Sequence, residues 1–396
     1  MNPAAMRVAV LCDYAEEQWP SMDICANMLL EHLQPCGTRI QPRLIRRFSR
    51  VAGAAWALNA DRLINRHIDY PLRARALRDF DIFHITDHSY AQLVHALPAE
   101  RTVVTCHDTD TFRCLIDPAG EPRPRWFRAM ARRTLTGMQR AAAVVCVSNA
   151  TRAGLIRNGL IAPEKITVAP NGVDPVFSAE PSSNWDHEAD RLLGAAQDRL
   201  DILHVGSTIP RKRIDLLLRI FAEAKRMHPG ARLIRVGAPF NADQKRLATE
   251  LGVSGNIVEL PFIPPDLLAA VYRRASVVLV PSEAEGFGLP LLESMACGTP
   301  VIASDLAALR ETGGSAAEFY PVGDVISWAE AVSRVASDPE HRNTKAVGGL
   351  TRAAEFSWAG NTREVNSLYK TILFRTQEIR AQEKDHHHWR GRLHRL

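Results

Sequence analysis

Short apolar runs alternate with helical stretches along most of this chain, and that alternation restricts the fold more than any other feature. Residues 7–12, 81–85, 102–106, 143–147 and 166–168 read as strands, and residues 22–33, 125–140 and 150–158 between them carry helical spacing. After Pro170 the apolar pattern stops. Residues 174–190, rich in Pro, Ser, Asp and Glu, show no period and read as a linker. The alternation resumes with strands at 201–205, 232–236, 256–260, 276–280 and 300–303, separated by helices at 213–227, 242–251 and 265–274. Such a pattern predicts an α/β chain with two doubly wound parallel-sheet domains. From Val325 to about Gln382 the spacing is helical throughout. The expected division is residues 1–173, a linker 174–199, a second domain 200–355, a terminal helix 356–384 and a basic tail 385–396. The tail, with His386, His387 and His388, is aperiodic and reads as a frayed end.

At 396 residues the chain is too long for one ordinary core. No apolar run approaches the roughly 18–20 residues of a membrane span, and residues 1–5 are too short and uncharged for a signal peptide. The seven cysteines form no CxxC pair, so a reduced, cytoplasmic protein without structural zinc is the economical expectation. Charge is unevenly placed: residues 1–175 hold 22 Lys plus Arg against 17 Asp plus Glu, and the remainder balances at 27 against 27. Arg39, Arg43, Arg46, Arg47 and Arg50 form one cluster; Arg123, Arg125, Arg128, Arg132 and Arg133 form another. Planar guanidinium groups suit phosphate and anionic lipid, so peripheral contact with an anionic membrane is one expectation and a solvated helix face the other. No motif or aromatic interleaving points to nucleic acid.

Chemistry concentrates in residues 281–300, PSEAEGFGLPLLESMACGTP. They set Glu285 and Glu293 eight residues apart around a strand-to-helix turn, with Pro290 suited to the first helical turn. Backbone amides near Gly286, Phe287, Gly288 and Leu289 would face the strand's carboxyl end, where a helix N-terminus favours an anion. Ionised carboxylates accept sugar hydroxyls. Phosphate plus polyol suggests a nucleotide sugar. A second loop follows the strand at 201–205: Gly206 permits close approach of a diphosphate, and Arg211 and Lys212 can neutralise it as it leaves.

These residues resemble glycosyltransferase family 4. Glu285 and Glu293 match its E-x7-E signature, and "EGFGLP", "LESMACGTPVIAS" and "VAPNGVDPVF" look like its strings across residues 6–373. The resemblance implies the GT-B fold, two Rossmann-like domains facing a cleft, with a terminal helix after Phe356-Ser357-Trp358 crossing back to the first. It implies a retaining, metal-independent hexosyltransferase without a cofactor, whose donor is a nucleoside diphosphate sugar, GDP-mannose or a UDP-hexose. The acceptor would be a carbohydrate or lipid-linked hydroxyl. By the same resemblance Glu293 takes the ribose hydroxyls, Glu285 contacts the transferred sugar, and His107 reaches the donor sugar. Ser207 stands where the family often has an arginine, which throws the diphosphate's charge onto Arg211 and Lys212.

The loop after the first strand lacks the family's glycines. Glu16 and Trp19 there, with Asp108, are candidate acceptor contacts. Asp108-Thr109-Asp110 mimics the metal-binding DxD of the other large glycosyltransferase fold but stands outside the layout that uses it. Asn171-Gly172 reads as a turn leaving the first domain, and Ser148 or Asn149 as a helix cap. Three other readings stay open: a sugar-nucleotide epimerase or another GT-B enzyme, a non-catalytic nucleotide-sugar sensor or scaffold, and an NAD-dependent dehydrogenase, disfavoured by the lack of an early GxGxxG.

Overall fold

The computed structural model describes residues 6–17, 19–51, 55–194 and 199–393. They divide into two compact units, the first holding the described residues to Pro170 and those from Trp358 on, the second Asn171–Ser357.

In the first unit β1 (Val8–Leu11), β2 (Gly37–Ile40), β3 (Ile82–Ile85), β4 (Thr102–Cys106), β5 (Ala143–Cys146) and β6 (Ile166–Val168) form one parallel sheet, ordered β2-β1-β3-β4-β5-β6. Successive side chains of a strand point to opposite faces, which explains why its central strands read as unbroken apolar runs. Ala9, Leu11, Phe83, Ile85, Val104 and Val144 enter a core on one face. Val8, Val10, Ile82, Val103 and Val145 enter another on the opposite face, beneath helix Pro20–His32. The terminal helix Trp358–Leu393 covers that second face with Val365, Tyr369 and Ile372, spaced at helical intervals of four and three. Tyr369 also meets the ring of His84, whose other nitrogen lies 2.7 Å from Thr105 Oγ1. Burial holds the His84 pKa down at about 3, so the ring is neutral.

The second unit repeats the plan with β7 (Asp201–Gly206), β8 (Arg232–Gly237), β9 (Ile257–Leu260), β10 (Val277–Val280), β11 (Val301–Ser304) and β12 (Glu318–Tyr320), ordered β12-β11-β10-β7-β8-β9 and again parallel. Helix Ile214–Met227 buries Ile214, Leu217, Leu218 and Phe221 against it. Gly206 and Gly237 are register partners at the ends of β7 and β8. A Cβ on Gly237 would stand 2.1 Å from the Gly206 carbonyl oxygen, so the approach of the two strands demands glycine.

Three expectations change. The aperiodic linker contains helix Ser183–Leu193, which belongs to the second unit: Asp186 pairs with Arg273 and Asp190 with Arg274 of helix Pro265–Arg274. Its polar residues are ion-pair partners, and only Ala189 and Leu193 are buried, too few to show a period. The expected frayed tail is instead helical to Leu393, and residues 394–396 lie outside the described residues. The edge strands β2 and β12 are absent from the sequence reading because both are only partly covered, without a continuous apolar run.

Candidate active site

In the second unit the chain leaves β7 for β8 on one side and later returns to β10 on the other. In such a sheet the crevice between the two carboxyl ends is the natural ligand position. β7 delivers Gly206, Ser207 and the short turn Pro210–Lys212; β10 delivers the loop to Gly288 and helix Leu289–Ala296. Gly288 has a φ of +97°, and a Cβ on it would meet Leu309 Cδ2 at 2.5 Å. This glycine lets the loop turn sharply into the helix.

The two loops are joined by charge. Lys212 Nζ donates to Glu285 Oε1 at 2.6 Å, and Ser282 Oγ donates to the same oxygen at 2.7 Å. Arg211 Nη1 lies 3.6 Å from Glu285 Oε2 and donates to the Ala284 carbonyl at 3.1 Å. The Glu283 amide returns a hydrogen bond to the Arg211 carbonyl at 2.7 Å. Burial alone would raise the Glu285 pKa, but the charges of Lys212 and Arg211 and the hydrogen bonds hold it below the ordinary carboxyl value. An ammonium carries three donors and Glu285 takes one. Lys212 keeps 14% of its side-chain surface exposed and Arg211 20%, so both cations can still meet an anion from solvent. Arg213 follows with φ of +48°, left-handed for a non-glycine residue, at roughly 1–2 kcal/mol of strain. Its guanidinium grips Asp215 at 2.9 and 2.8 Å.

Glu293 sits one turn into helix Leu289–Ala296 and is almost wholly buried, its Oε2 accepting from Tyr272 Oη at 2.8 Å. Burial pushes its pKa up to about 7; the Tyr272 hydrogen bond opposes the rise, Asp174 adds to it and Lys212 reduces it. Lys212 thus acts electrostatically on both glutamates, which flank the loop and helix start that follow β10. Phe287 is buried against Phe356, and its carbonyl accepts from Thr312 Oγ1 at 2.8 Å, which fixes the middle of the glycine turn. Sequence reasoning missed Tyr272 and Ser282. Tyr272 lies on another helix, and nothing in local spacing marks it; Ser282, three residues before Glu285, was within reach of a short-range search.

The remaining candidates lie in the first unit. His107, directly after β4, is buried, and its Nε2–H donates to the Thr86 carbonyl at 2.7 Å, which sets the tautomer. Burial lowers its pKa against the opposing charge of Asp87. Asp108 Oδ1 accepts from the Asp110 amide at 3.0 Å and lies 3.6 Å from His88 Nε2, so it orders its own turn. No three His, Cys, Asp or Glu residues among those described are grouped to hold a metal ion. Glu16 is exposed on the short turn Ala15–Glu17, and Trp19, 45% exposed, precedes helix Pro20–His32. Asp13, two residues past β1, was not anticipated; it is buried beside Asp87. All seven cysteines are free.

The chain is also similar to known glycosyltransferases. The family model "Glycosyl transferases group 1" matches residues 187–346, and "Glycosyltransferase Family 4" matches residues 32–177. The chain is 34% identical over 224 residues to a D-inositol 3-phosphate glycosyltransferase of Acidothermus cellulolyticus, covering 53% of this chain and 49% of that protein. A protein of the same description from Stackebrandtia nassauensis is 36% identical over 226 residues, covering 54% and 50%. The matches thus span about half the length of these curated relatives. Among solved structures, a sucrose-phosphate synthase from Thermosynechococcus elongatus has a TM-score of 0.74 at 21% identity, covering 92% of this chain and 99% of that one. Anabaena Alr3699/HepE, crystallised with UDP and glucose, has a TM-score of 0.72 at 17% identity, covering 92% and 100%. These two likenesses concern the GT-B fold.

Proposed function

The chain belongs to glycosyltransferase family 4, and on that premise we propose that it moves a hexosyl group from a nucleoside diphosphate sugar to a hydroxyl acceptor, the second unit holding the donor. The observation that carries this reading is the convergence of Lys212, Arg211, Glu285 and Glu293 at the β7–β10 crevice. Arg211 and Lys212 meet the diphosphate as negative charge gathers on the departing oxygen, and the N-terminus of helix Leu289–Ala296 adds its dipole. Glu293 accepts the ribose hydroxyls. Glu285 contacts the transferred sugar while keeping Lys212 and Arg211 oriented for the phosphates.

Cleavage passes through an oxocarbenium-like state. In the retaining course proposed, the acceptor hydroxyl attacks the face the diphosphate leaves, and its proton passes to a donor phosphate oxygen. That course needs neither metal nor enzyme base. The first unit binds a carbohydrate or lipid-linked acceptor through Glu16, Trp19 and Asp108, and His107 keeps the role in catalysis that the family resemblance implies.

A cytoplasmic protein in peripheral contact with an anionic membrane is part of the same reading. Its support is an outward stripe of Trp56, Leu63, Ile68 and Leu72, each at least 42% exposed, along the helical run from Ala55 to Arg75. Arg62, Arg73 and Arg75 lie on the same run, an arrangement suited to an anionic interface. Arg47, by contrast, is engaged by Asp69 at 2.7 and 2.8 Å. No helix among the described residues is long and apolar enough to cross a membrane.

A thermal-shift panel of UDP-glucose, UDP-galactose, GDP-mannose, UDP and GDP tests the donor site, because a ligand that binds only the native state raises its melting temperature. The expected result is a rise with at least one sugar nucleotide that is lost in Lys212→Ala. A flat response across the panel refutes the proposal.

A further inference from the structure

The first unit has a crevice of the same topological kind. Its chain leaves β1 for β2 on one side and returns to β3 on the other. Leu11 and Ile85 are register partners at the ends of those strands, so the next inward-facing positions beyond them, Asp13 and Asp87, come side by side. Both carboxyl groups are buried. They differ in what surrounds them.

Asp87 is well provided: it accepts from the Ser89 amide at 2.8 Å and from the Ser89 hydroxyl, and His88 Nδ1 lies 3.3 Å away. Asp13, 5% exposed, meets no N–H or O–H donor at either carboxylate oxygen. Its polar neighbours are the carboxyls of Asp87, which is within hydrogen-bond reach, and Glu17, and the charge of Arg66 opposes theirs. Arg66 is itself held over the Tyr90 ring at 4.1 Å and lies 3.9 Å from Glu17 Oε1. Burial first, then the Asp87 charge, push the Asp13 pKa up to about 9. At neutral pH the pair therefore holds one proton between two carboxyls.

A buried acid without a donor costs stability unless something else supplies the hydrogen bonds. The group that fits is a hydroxyl or ammonium, which donates to carboxylate and, if a hydroxyl, can accept from the protonated acid. A phosphate does not fit. Its charge would face Asp87 and Glu17 at close range in a buried site, where like charges repel, and the charge of Arg66 is already shared with Glu17. We propose that Asp13 and Asp87 form the subsite that binds a hydroxyl or amino group of the acceptor and selects acceptors without a phosphate there. The inference rests on the reading of the first unit as the acceptor unit.

The test uses the full chain saturated with the nucleotide chosen by the thermal-shift panel. Glucose, glucosamine, myo-inositol, glucose 6-phosphate and myo-inositol phosphate are titrated calorimetrically, and sugar-dependent release of nucleoside diphosphate from the donor is followed in parallel. An unphosphorylated probe is expected to bind at least tenfold more tightly than its phosphate. Glucosamine against glucose separates amine from hydroxyl recognition. Asp13→Leu keeps the approximate shape and removes both oxygens; it should weaken the favoured probe at least tenfold while leaving nucleotide affinity unchanged, and Asp87→Asn, which removes the ionised member of the pair, serves as the second variant. Preference for the phosphorylated member, no response to any unphosphorylated probe, or an Asp13→Leu protein equal to wild type with intact nucleotide binding overturns the inference alone. Loss of nucleotide binding in the wild-type protein would instead strike the glycosyltransferase reading.

Discussion

Replacing Glu293 with Gln should make the unliganded protein more stable and the donor site worse. The carboxyl has an ordinary value of 4.5 and is pushed up to about 7 in the folded chain. Each power of ten is about 1.4 kcal/mol, so ionised Glu293 costs the fold roughly 3 kcal/mol once pH exceeds both values. A raised carboxyl pKa means that the native state binds the proton more tightly than the unfolded chain. The associated stability is therefore fully present below about pH 4.5 and is lost as pH rises through about 7. Gln, permanently neutral, escapes that loss, and its carbonyl can still accept from Tyr272 Oη. Urea titrations of the unliganded variant and wild type should diverge by roughly 3 kcal/mol at pH 8 and by less than about 1 kcal/mol at pH 5. Calorimetry with the cognate nucleoside diphosphate should show the opposite trend, a loss of about 10- to 100-fold, since hydrogen bonds from ribose hydroxyls to a charged acceptor contribute about 1.5–3 kcal/mol. Wild-type affinity should also fall as pH drops below about 7, because binding favours the ionised carboxylate. A Gln variant less stable than wild type at pH 8, or equally shifted at every pH, would refute the account of Glu293 as a buried, uncompensated acid. Unchanged nucleotide affinity would remove it from the ribose.

Lys212→Ala should abolish the nucleotide-dependent thermal shift and lower stability by about 3–5 kcal/mol, because it leaves Glu285 buried without its ammonium partner. The double change Lys212→Ala with Glu285→Gln should recover much of that stability and none of the binding. Equal losses in the single and double variants, measured by urea unfolding, would show that the pair does not govern the loop. Gly288→Ala should cost about 1–3 kcal/mol, since φ of +97° and the 2.5 Å approach to Leu309 leave no relaxed place for a Cβ; a neutral effect on the melting curve would mean that the turn is not held as described. Vesicles containing about 30% phosphatidylserine should sediment with the protein at low salt and release it at high salt. Trp56→Ser with Leu72→Ser should reduce that binding several-fold, and salt-independent or unaltered sedimentation would dismiss the membrane reading.

Much of the plan was legible because it is local. A buried parallel strand has to be apolar on both faces, so 102–106 declared itself to the residue. Glu285 and Glu293 share one turn and one helix start, and short-range spacing recorded them together. Helix Ser183–Leu193 was hidden because its docking uses arginines of a helix some eighty residues further on. The bond between Lys212 and Glu285 spans 73 residues and depends on β7 and β10 being neighbours.

The amino-acid order alone therefore determined that two parallel-sheet units form, where most of their strands run, and which loop carries the glycine turn and its two acids. Tertiary structure decided how those groups are used. Strand order placed Lys212 against Glu285, put Tyr272 on Glu293, and set Asp13 beside Asp87, 74 positions away. Periodicity reports only which face of its own segment a residue occupies, whereas charge, desolvation and hydrogen bonding depend on what the rest of the chain brings to that face.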